Sequence, residues 1–296
     1  MPLEPMLVIE PISEWSQRIL RYDSGKIADD ERELLDVMTR REFDGRYCRV
    51  DVAPPWYWRR DAEASKSVGV TVFETESIPR EWVDCINRVG HEVWASTEYN
   101  RRSFIESGVE TRVSVVPETY EAEFTPDADA VKLPLSTRFN FLSVFNWNPR
   151  KDWKKLLLAF CEEFNGNEEV ELVLKVSDIW WNRGRNIRTM RGYLREVGGE
   201  GMSRRVAIMH DLLHNQDMPG LYRSCDAFVL PSRGEGWGRP YQEALLCETP
   251  VIYSRCSAML ETLNESIGYP IEGELTPVHE SVKKEPELLD TVSTSG

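Results

Sequence analysis

Short runs of β-branched and aromatic residues alternate with segments of helical period along most of this chain. In the second half these runs are FNFLSVFN, VELVLKVS, RVAIM, AFVLPS and PVIYS. The segments between them carry apolar residues every three to four positions, which is the period of an amphipathic helix. Parallel strands need long crossover connections, and these are usually helices. The alternation therefore predicts an α/β protein built on parallel sheets.

A second set of candidate strands precedes this one: MLVIE, SVGVTVFE, EVWAST and RVSVVP. Between the two sets, residues 118–137 contain two prolines and several acidic residues with no clear period, which is typical of a linker. A chain of 296 residues also has the length of two domains, at roughly 100–200 residues each. We expect an N-terminal domain with the linker at residues 1–133, a C-terminal domain at 134–265 and a tail at 266–296. Two doubly wound domains imply a cleft, and such sheets bind ligands at the carboxyl ends of their strands.

The charge balance narrows the range of partners. Lys and Arg number 36 against 50 Asp and Glu, for a net charge of −14. This field repels polyphosphate at long range, so we expect no general nucleic-acid binding, although a local basic pocket remains compatible with it. No apolar run reaches the roughly 20 residues of a membrane helix. The first ten residues lack the basic and apolar regions of a secretory signal. These features predict a cytoplasmic protein with no transmembrane segment.

Cysteine and histidine are scattered rather than grouped. None of the six cysteines forms a C-x-x-C pair, and the four histidines show no H-E-x-x-H spacing. We therefore expect buried free thiols in a reducing compartment and no metal centre.

The most informative segment is PSRGEGWGRPYQEALLCETP, at residues 231–250. A predicted strand ends here, a glycine-rich loop follows, and Pro240 suits the first turn of a helix. Glycines let a backbone approach a ligand closely, and the free N–H groups of a helix start attract anions. Glu235 on the loop and Glu243 on the helix are placed to flank one ligand.

The stretch EGWGRPYQEA resembles the glutamate–seven–glutamate motif of retaining nucleotide-sugar glycosyltransferases, in particular glycosyltransferase family four. The flanking segments LYRSCDAFVLPSRGEGWG and CETPVIYSR resemble the family's strands on either side of the motif, and SVFNWNPRKDWKKLLLAF resembles its phosphate site. In the first half, FETESIPREWVDCINRVGHEVWASTEYNRRSFIESGV resembles the end of its acceptor domain. The resemblance spans about residues 68–263. It implies a GT-B fold: two Rossmann-like domains facing each other across a cleft, here with a shortened N-terminal domain.

The resemblance also assigns roles around the donor sugar. Glu235 is expected to hydrogen-bond the hydroxyls of the sugar, and Glu243 the two hydroxyls of the ribose. The backbone of the loop between them is expected to face the sugar and the diphosphate; its residues are Gly236, Trp237 and Gly238.

Cations are expected to meet the diphosphate. By resemblance, Arg150 and Lys151 face the phosphates, and Lys175, near the end of a neighbouring strand, is a further candidate. Charge develops on the nucleotide diphosphate as the glycosidic bond breaks, and fixed cations lower that barrier. Asp211 and Leu212 occupy the loop that touches the base in the family.

Plainer interpretations exist for most of these residues. Glu243 also suits a helix dipole, and Arg150 with Lys151 also suits a solvated basic pair. Lys175 also suits a structural role. Glu74 and Glu76 follow a strand that faces the cleft, where an acceptor could bind, but a polar loop explains them better.

The expected function is transfer of a hexose from a UDP- or GDP-sugar to a small-molecule, glycan or other hydroxyl acceptor. Retention is inherited from the resemblance. The donor is a co-substrate, and no cofactor or metal is expected. Two alternatives stay open: a non-catalytic relative that binds a nucleotide sugar or a protein, and a GT-B nucleotide-sugar epimerase.

Overall fold

The structure, a computed structural model, describes residue 33 and residues 47–133, 139–166, 169–177, 183–209, 213 and 215–277. The strand predicted at residues 6–10 lies outside this part of the chain, as do Asp211 and Leu212. Within it, the strands form two parallel sheets, as the alternation predicts.

The first sheet contains four strands in sequential order. They are β1 (Cys48–Val52), β2 (Lys66–Val70), β3 (Glu92–Ala95) and β4 (Val113–Val115). A 3-10 turn, Pro55–Tyr57, follows β1; helix α1 (Arg80–Val89) follows β2, and α2 (Glu98–Glu106) follows β3.

Local signals define helices α1 and α2. Pro79 caps the start of α1, and Gly90, with φ of 72°, ends it in a left-handed conformation that glycine adopts without strain. The Thr97 side chain accepts a hydrogen bond from the backbone N–H of Asn100 at the start of α2. Their apolar faces pack on the sheet in a core that includes Ile86, Val93 and Phe104.

The second sheet has six strands: β5 (Phe139–Asn146), β6 (Val170–Ser177), β7 (Val206–Met209), β8 (Ala227–Leu230), β9 (Val251–Ser254) and β10 (Gly268–Ile271). Its helices are α3 (Trp153–Glu163), α4 (Arg183–Ser203), α5 (Met218–Arg223), α6 (Arg239–Leu246) and α7 (Met259–Thr262). Two further 3-10 turns, Pro149–Lys151 and Asn215–Asp217, complete the domain.

The strand order β10-β9-β8-β5-β6-β7 reverses direction between β8 and β5. This is the doubly wound order of dinucleotide-binding folds, whose ligands lie at the reversal. One sequence expectation is wrong at the far edge. Residues 268–271, assigned to the tail, pair with β9 as β10, because their backbone completes the exposed side of that strand.

Helix α3 illustrates why the second core forms. Its predicted apolar face is buried at Trp153, Leu156, Leu157 and Phe160, and Phe164 packs at the margin. The predicted linker lies along the same domain: Phe124 packs on Tyr222 in this core. All six cysteines are free thiols. No helix in the described ranges combines the length and apolarity needed to cross a membrane.

Candidate functional site

The crevice between β5 and β8 is lined by the two loops that follow these strands. Asn148 accepts a hydrogen bond from the backbone N–H of Arg150 at 2.8 Å, which shapes the 3-10 turn after β5. The backbone N–H of Arg233 donates to the carbonyl of Arg150 at 2.8 Å. The loops after both strands are therefore joined at the point where open α/β sheets bind ligands.

Four charged side chains meet in this crevice, and we refer to them as the charged cluster: Glu74, Arg150, Lys151 and Glu235. Lys151 Nζ lies 2.5 Å from one carboxylate oxygen of Glu235, and Arg150 lies 3.1 Å from the other. Arg150 also lies 3.1 Å from Glu74 of the first domain. Two cations thus face two anions, with no net charge.

Because Glu235 and Lys151 are buried, the balance of charge within the cluster affects their pKa values. Glu235 is 6% exposed and Lys151 is 7% exposed. Burial alone would raise the pKa of Glu235, but the charges of Arg150 and Lys151 outweigh it and hold that pKa below its ordinary value. For Lys151, burial and the neighbouring Arg150 charge lower the pKa. The cluster is therefore a preformed set of charges, buried at Lys151 and Glu235 and partly buried at Arg150 and Glu74, in which each cation depends on a nearby anion.

The glycine-rich loop meets the first domain rather than an open space. A Cβ on Gly236 would lie 2.6 Å from Cβ of Val72, and one on Gly234 would lie 2.2 Å from the carbonyl oxygen of Glu74. Gly238 instead has φ of 85°, a conformation that favours glycine, and it directly precedes α6. Gly234 and Gly236 thus allow close contact between the domains. The sequence analysis had instead expected glycines in this loop to let the backbone approach a ligand.

We expect Gly236→Ala to destabilise the protein by about 1–3 kcal/mol, because the added methyl group overpacks this contact. Urea denaturation measures the loss. Gly192→Ala is the matched control, since a Cβ at Gly192 meets nothing within 4 Å. Adding Val72→Ala should restore part of the lost stability; a double variant as unstable as Gly236→Ala would contradict the steric explanation.

Trp237 is buried beside Tyr120 of the linker, with ring centroids 6.1 Å apart and nearly parallel planes. The carbonyl of Gly236 accepts a hydrogen bond from Thr97 at the start of α2. These contacts attach the glycine loop to the linker on one side and to the first domain on the other. The loop is consequently held in one conformation at the mouth of the crevice.

A cavity of about 240 Å³ in the second domain is lined by both Glu243 and Lys175. Its lining also includes Glu121, Phe124, Val144, Ser177, Leu213, Met218 and Arg239. Glu243 accepts a hydrogen bond from the hydroxyl of Tyr222 at 2.8 Å and lies 3.7 Å from Arg239. Burial raises the pKa of Glu243, and these two partners only partly oppose that effect. The cavity thus combines charged and polar groups with four apolar side chains.

Two residues of the site were not selected from the sequence. Glu74 was assigned to a polar loop, yet it reaches Arg150 across the cleft. Arg239, at the start of α6, lies within 3.7 Å of Glu118, Glu121 and Glu243. The sequence feature that could have identified Glu74 is its position after a strand that faces the cleft. For Arg239 it is the position between the two glutamates of the motif.

No group of three or more His, Cys, Asp or Glu side chains suited to a metal ion occurs in the described ranges. Asp211 and Leu212, assigned to base contact, lie outside those ranges and stay predictions.

Comparison with known proteins finds a family model and a relative that match part of the chain. Residues 146–282 match the family model for glycosyl transferases group 1. An alignment 160 positions long, which covers 49% of the chain, is 25% identical to the O-antigen chain mannosyltransferase B of Escherichia coli and covers 38% of that protein. The match therefore spans well under half the length of this curated relative.

Two solved structures are similar across most of the chain. The Anabaena protein HepE, in complex with UDP and glucose, has a TM-score of 0.56 at 17% identity, covering 78% of this chain and 65% of that one. A trehalose-6-phosphate synthase studied with bisubstrate glycomimetics has a TM-score of 0.61 at 11% identity, covering 95% and 76%. These likenesses show the GT-B fold.

Proposed function

We propose that this protein transfers a hexose from a UDP- or GDP-sugar to a hydroxyl acceptor, with retention of configuration. The observation that carries the proposal is the charged cluster at the reversal of strand order, in a domain that also holds a cavity lined by Glu243 and Lys175. The motif resemblance and the named ligands of HepE agree with a nucleotide-sugar donor. Retention is supported by the resemblance and by the trehalose-6-phosphate synthase, whose glycosyl transfer with retention has been studied with bisubstrate glycomimetics.

The cluster fits a leaving diphosphate on electrostatic grounds. Lys151 is a buried cation and Arg150 a partly buried one, so an anion must accompany them. In the structure Glu235 supplies that anion. A bound diphosphate would take over this role and release the Glu235 carboxylate to accept hydrogen bonds from sugar hydroxyls. The same cations would then stabilise the charge that grows on the departing diphosphate.

The adjoining cavity suits the nucleoside. Glu243 offers two carboxylate oxygens, which can accept hydrogen bonds from a vicinal diol such as ribose. The hydroxyl of Tyr222 donates a hydrogen bond to one of these oxygens and so fixes its position. Lys175 lines the same space from the end of β6, where a further phosphate or base contact is possible.

Thermal denaturation with UDP, GDP, ADP and their sugars tests donor binding. A ligand at 100 times its dissociation constant should add about 2.7 kcal/mol of stability. The stabilising donor is then assayed for nucleotide release with and without sugar acceptors. Absence of any shift at millimolar ligand would contradict the donor site; binding without hydrolysis or transfer would instead favour the non-catalytic alternative.

We expect Glu243→Gln to raise the KM for the donor about tenfold while kcat changes little, because ribose contacts exist equally in the ground and transition states. Steady-state kinetics with a donor titration measures both constants. Glu248→Gln, at an exposed position just beyond the same helix, is the matched control. A large fall in kcat at unchanged KM would contradict the ribose assignment.

We expect donor turnover to continue in EDTA, because the side chains of Arg150 and Lys151 supply the positive charge that a metal ion provides elsewhere. Nucleotide release is measured after dialysis against EDTA and again after adding Mg²⁺ or Mn²⁺. Complete loss of activity that only a divalent cation restores would contradict this expectation.

A further inference from the structure

A carboxylate of the second domain contacts the first turn of α2 in the first domain. The backbone N–H of Glu98 donates to one oxygen of Glu261 at 2.9 Å, and that of Tyr99 donates to the other. The first N–H groups of a helix have no partner within the helix, and a carboxylate there also meets the positive end of the helix dipole. Glu261, which is 163 positions from Glu98, therefore caps a helix of the other domain.

The segment that carries Glu261 also holds the backbone of Glu235. We call residues 257–262 the bridging segment; it consists of Ser257, Ala258 and α7. The hydroxyl of Ser257 accepts a hydrogen bond from the backbone N–H of Glu235 at 2.8 Å. The backbone N–H of Ala258 donates to the carbonyl of Glu235 at 3.3 Å. Both backbone polar groups of Glu235 are thus bonded to the bridging segment.

The conformation of the bridging segment is constrained at its start. Ser257 is 7% exposed and has φ of 49°. A residue other than glycine keeps this left-handed conformation only where its surroundings impose it. A second link also joins α2 to the glycine loop, because Thr97 donates to the carbonyl of Gly236, the residue after Glu235. The start of α2 is therefore connected to the loop by two separate routes.

We propose that Glu261 is a positioning residue that couples the contact between the domains to the placement of the Glu235 carboxylate. This inference rests on the proposed function, in which Glu235 contacts the donor sugar, and it adds a residue that acts through Glu235. The first turn of α2 fixes Glu261, and α7 connects Glu261 to Ser257. Ser257 in turn fixes the backbone from which the Glu235 side chain extends. A displacement of about 1 Å at a reacting group can cost about 100-fold in rate, so this capping contact affects turnover.

Steady-state kinetics with a donor titration tests this role. We expect Glu261→Ala to lower kcat about tenfold and to change the donor KM by less than about twofold. The KM is spared because no residue of the bridging segment is among the described residues that line the cavity with Glu243. Glu261→Gln should recover most of the lost rate, since its amide oxygen still accepts a hydrogen bond. Glu265→Ala is the matched control, because that carboxylate is exposed and pairs with Arg255. An unchanged kcat in Glu261→Ala would overturn the proposal.

A double variant distinguishes positioning from an independent structural effect. If Glu261 acts through Glu235, then Glu261→Ala should lower kcat no further when Glu235 is already replaced by glutamine, because coupled residues are not additive. A second loss of about tenfold in the Glu235→Gln background would mean that Glu261 acts by another route, and it would overturn the proposal.

Hydrogen–deuterium exchange on the whole chain tests the same coupling without any donor. We expect Glu261→Ala to speed exchange about tenfold at the amides of Glu98 and Tyr99, and also at the amide of Glu235 that bonds to Ser257. Faster exchange confined to α2 would overturn the coupling even if a donor is turned over. If the wild type turns over no donor, the proposed function fails, and the exchange result alone decides this inference.

Discussion

Lys151→Met should lower kcat for the donor by about 100- to 1,000-fold and also raise its KM. The size of the effect follows from the loss of one preorganised charge aimed at a leaving group, which typically costs that much in rate. Lys151 lies 2.5 Å from Glu235 and is almost fully buried, so water cannot replace it. The diphosphate is charged when bound and more so on departure, so both constants are affected.

Methionine preserves the length and apolar stem of lysine, and the variant should therefore fold. Steady-state kinetics with donor titration gives kcat and KM, and circular dichroism checks the fold. The matched control is Lys155→Met, which removes an exposed charge from the first turns of the same helix, α3. Turnover within a factor of a few of the wild type would mean that Lys151 does not contact the diphosphate.

Glu235→Gln should lower kcat about 100-fold and destabilise the free protein by about 3–5 kcal/mol. The rate falls because the amide loses the negative charge that the sugar needs as it gains positive character. The stability falls because Lys151 loses the carboxylate that lies 2.5 Å from it, and an unpaired buried charge is costly. Arg150 retains its ion pair with Glu74, so the loss of stability arises mainly at Lys151.

Urea denaturation with and without the best-binding nucleoside diphosphate separates the two effects. A bound diphosphate supplies the missing anion, so the stability difference from the wild type should narrow when the nucleotide is present. Glu163→Gln, at the exposed end of α3, is the matched control. An unchanged difference in the presence of nucleotide would contradict placement of the diphosphate against Lys151.

The difference in stability between the wild type and Glu235→Gln should also depend on pH. The pKa of Glu235 is lower in the folded protein than in the unfolded chain, so its ionised form stabilises the fold. That contribution is fully present above the unfolded pKa, about 4.3, and is lost as the pH falls through the lower folded pKa. The wild type and Glu235→Gln should therefore approach equal stability in acid.

Much of the donor domain was predictable because its signals are local. Apolar residues at the helical period predicted helices between the strands, as at α3, and the proline after a glycine loop placed the start of α6. Alternation of strands and helices predicted parallel sheets, since parallel strands need crossover connections. The sequence did not predict the ion pair between Lys151 and Glu235. Through the motif resemblance it indicated only that both residues lie near one donor.

Contacts between distant segments needed the tertiary structure. Residues 268–271 have no strong strand signal, and they become β10 because β9 offers an unpaired edge. Glu74 looked like an ordinary loop residue because its partner, Arg150, lies 76 positions away (150 − 74) on another domain. The aromatic rings at Trp56 and Trp82 likewise meet only after β1 and β2 align.

The sequence by itself determined the elements, the two sheets and the pairing of a glycine loop with two glutamates, because propensity, period and turn chemistry act between near neighbours. Only the tertiary structure decided which charges balance one another and why Gly234 and Gly236 must be glycine. Both questions depend on distances across the cleft, where a methyl group on Gly236 would meet Val72 and where Glu235 meets two buried cations. Such distances are set by how the packed domains meet, and no local pattern encodes them.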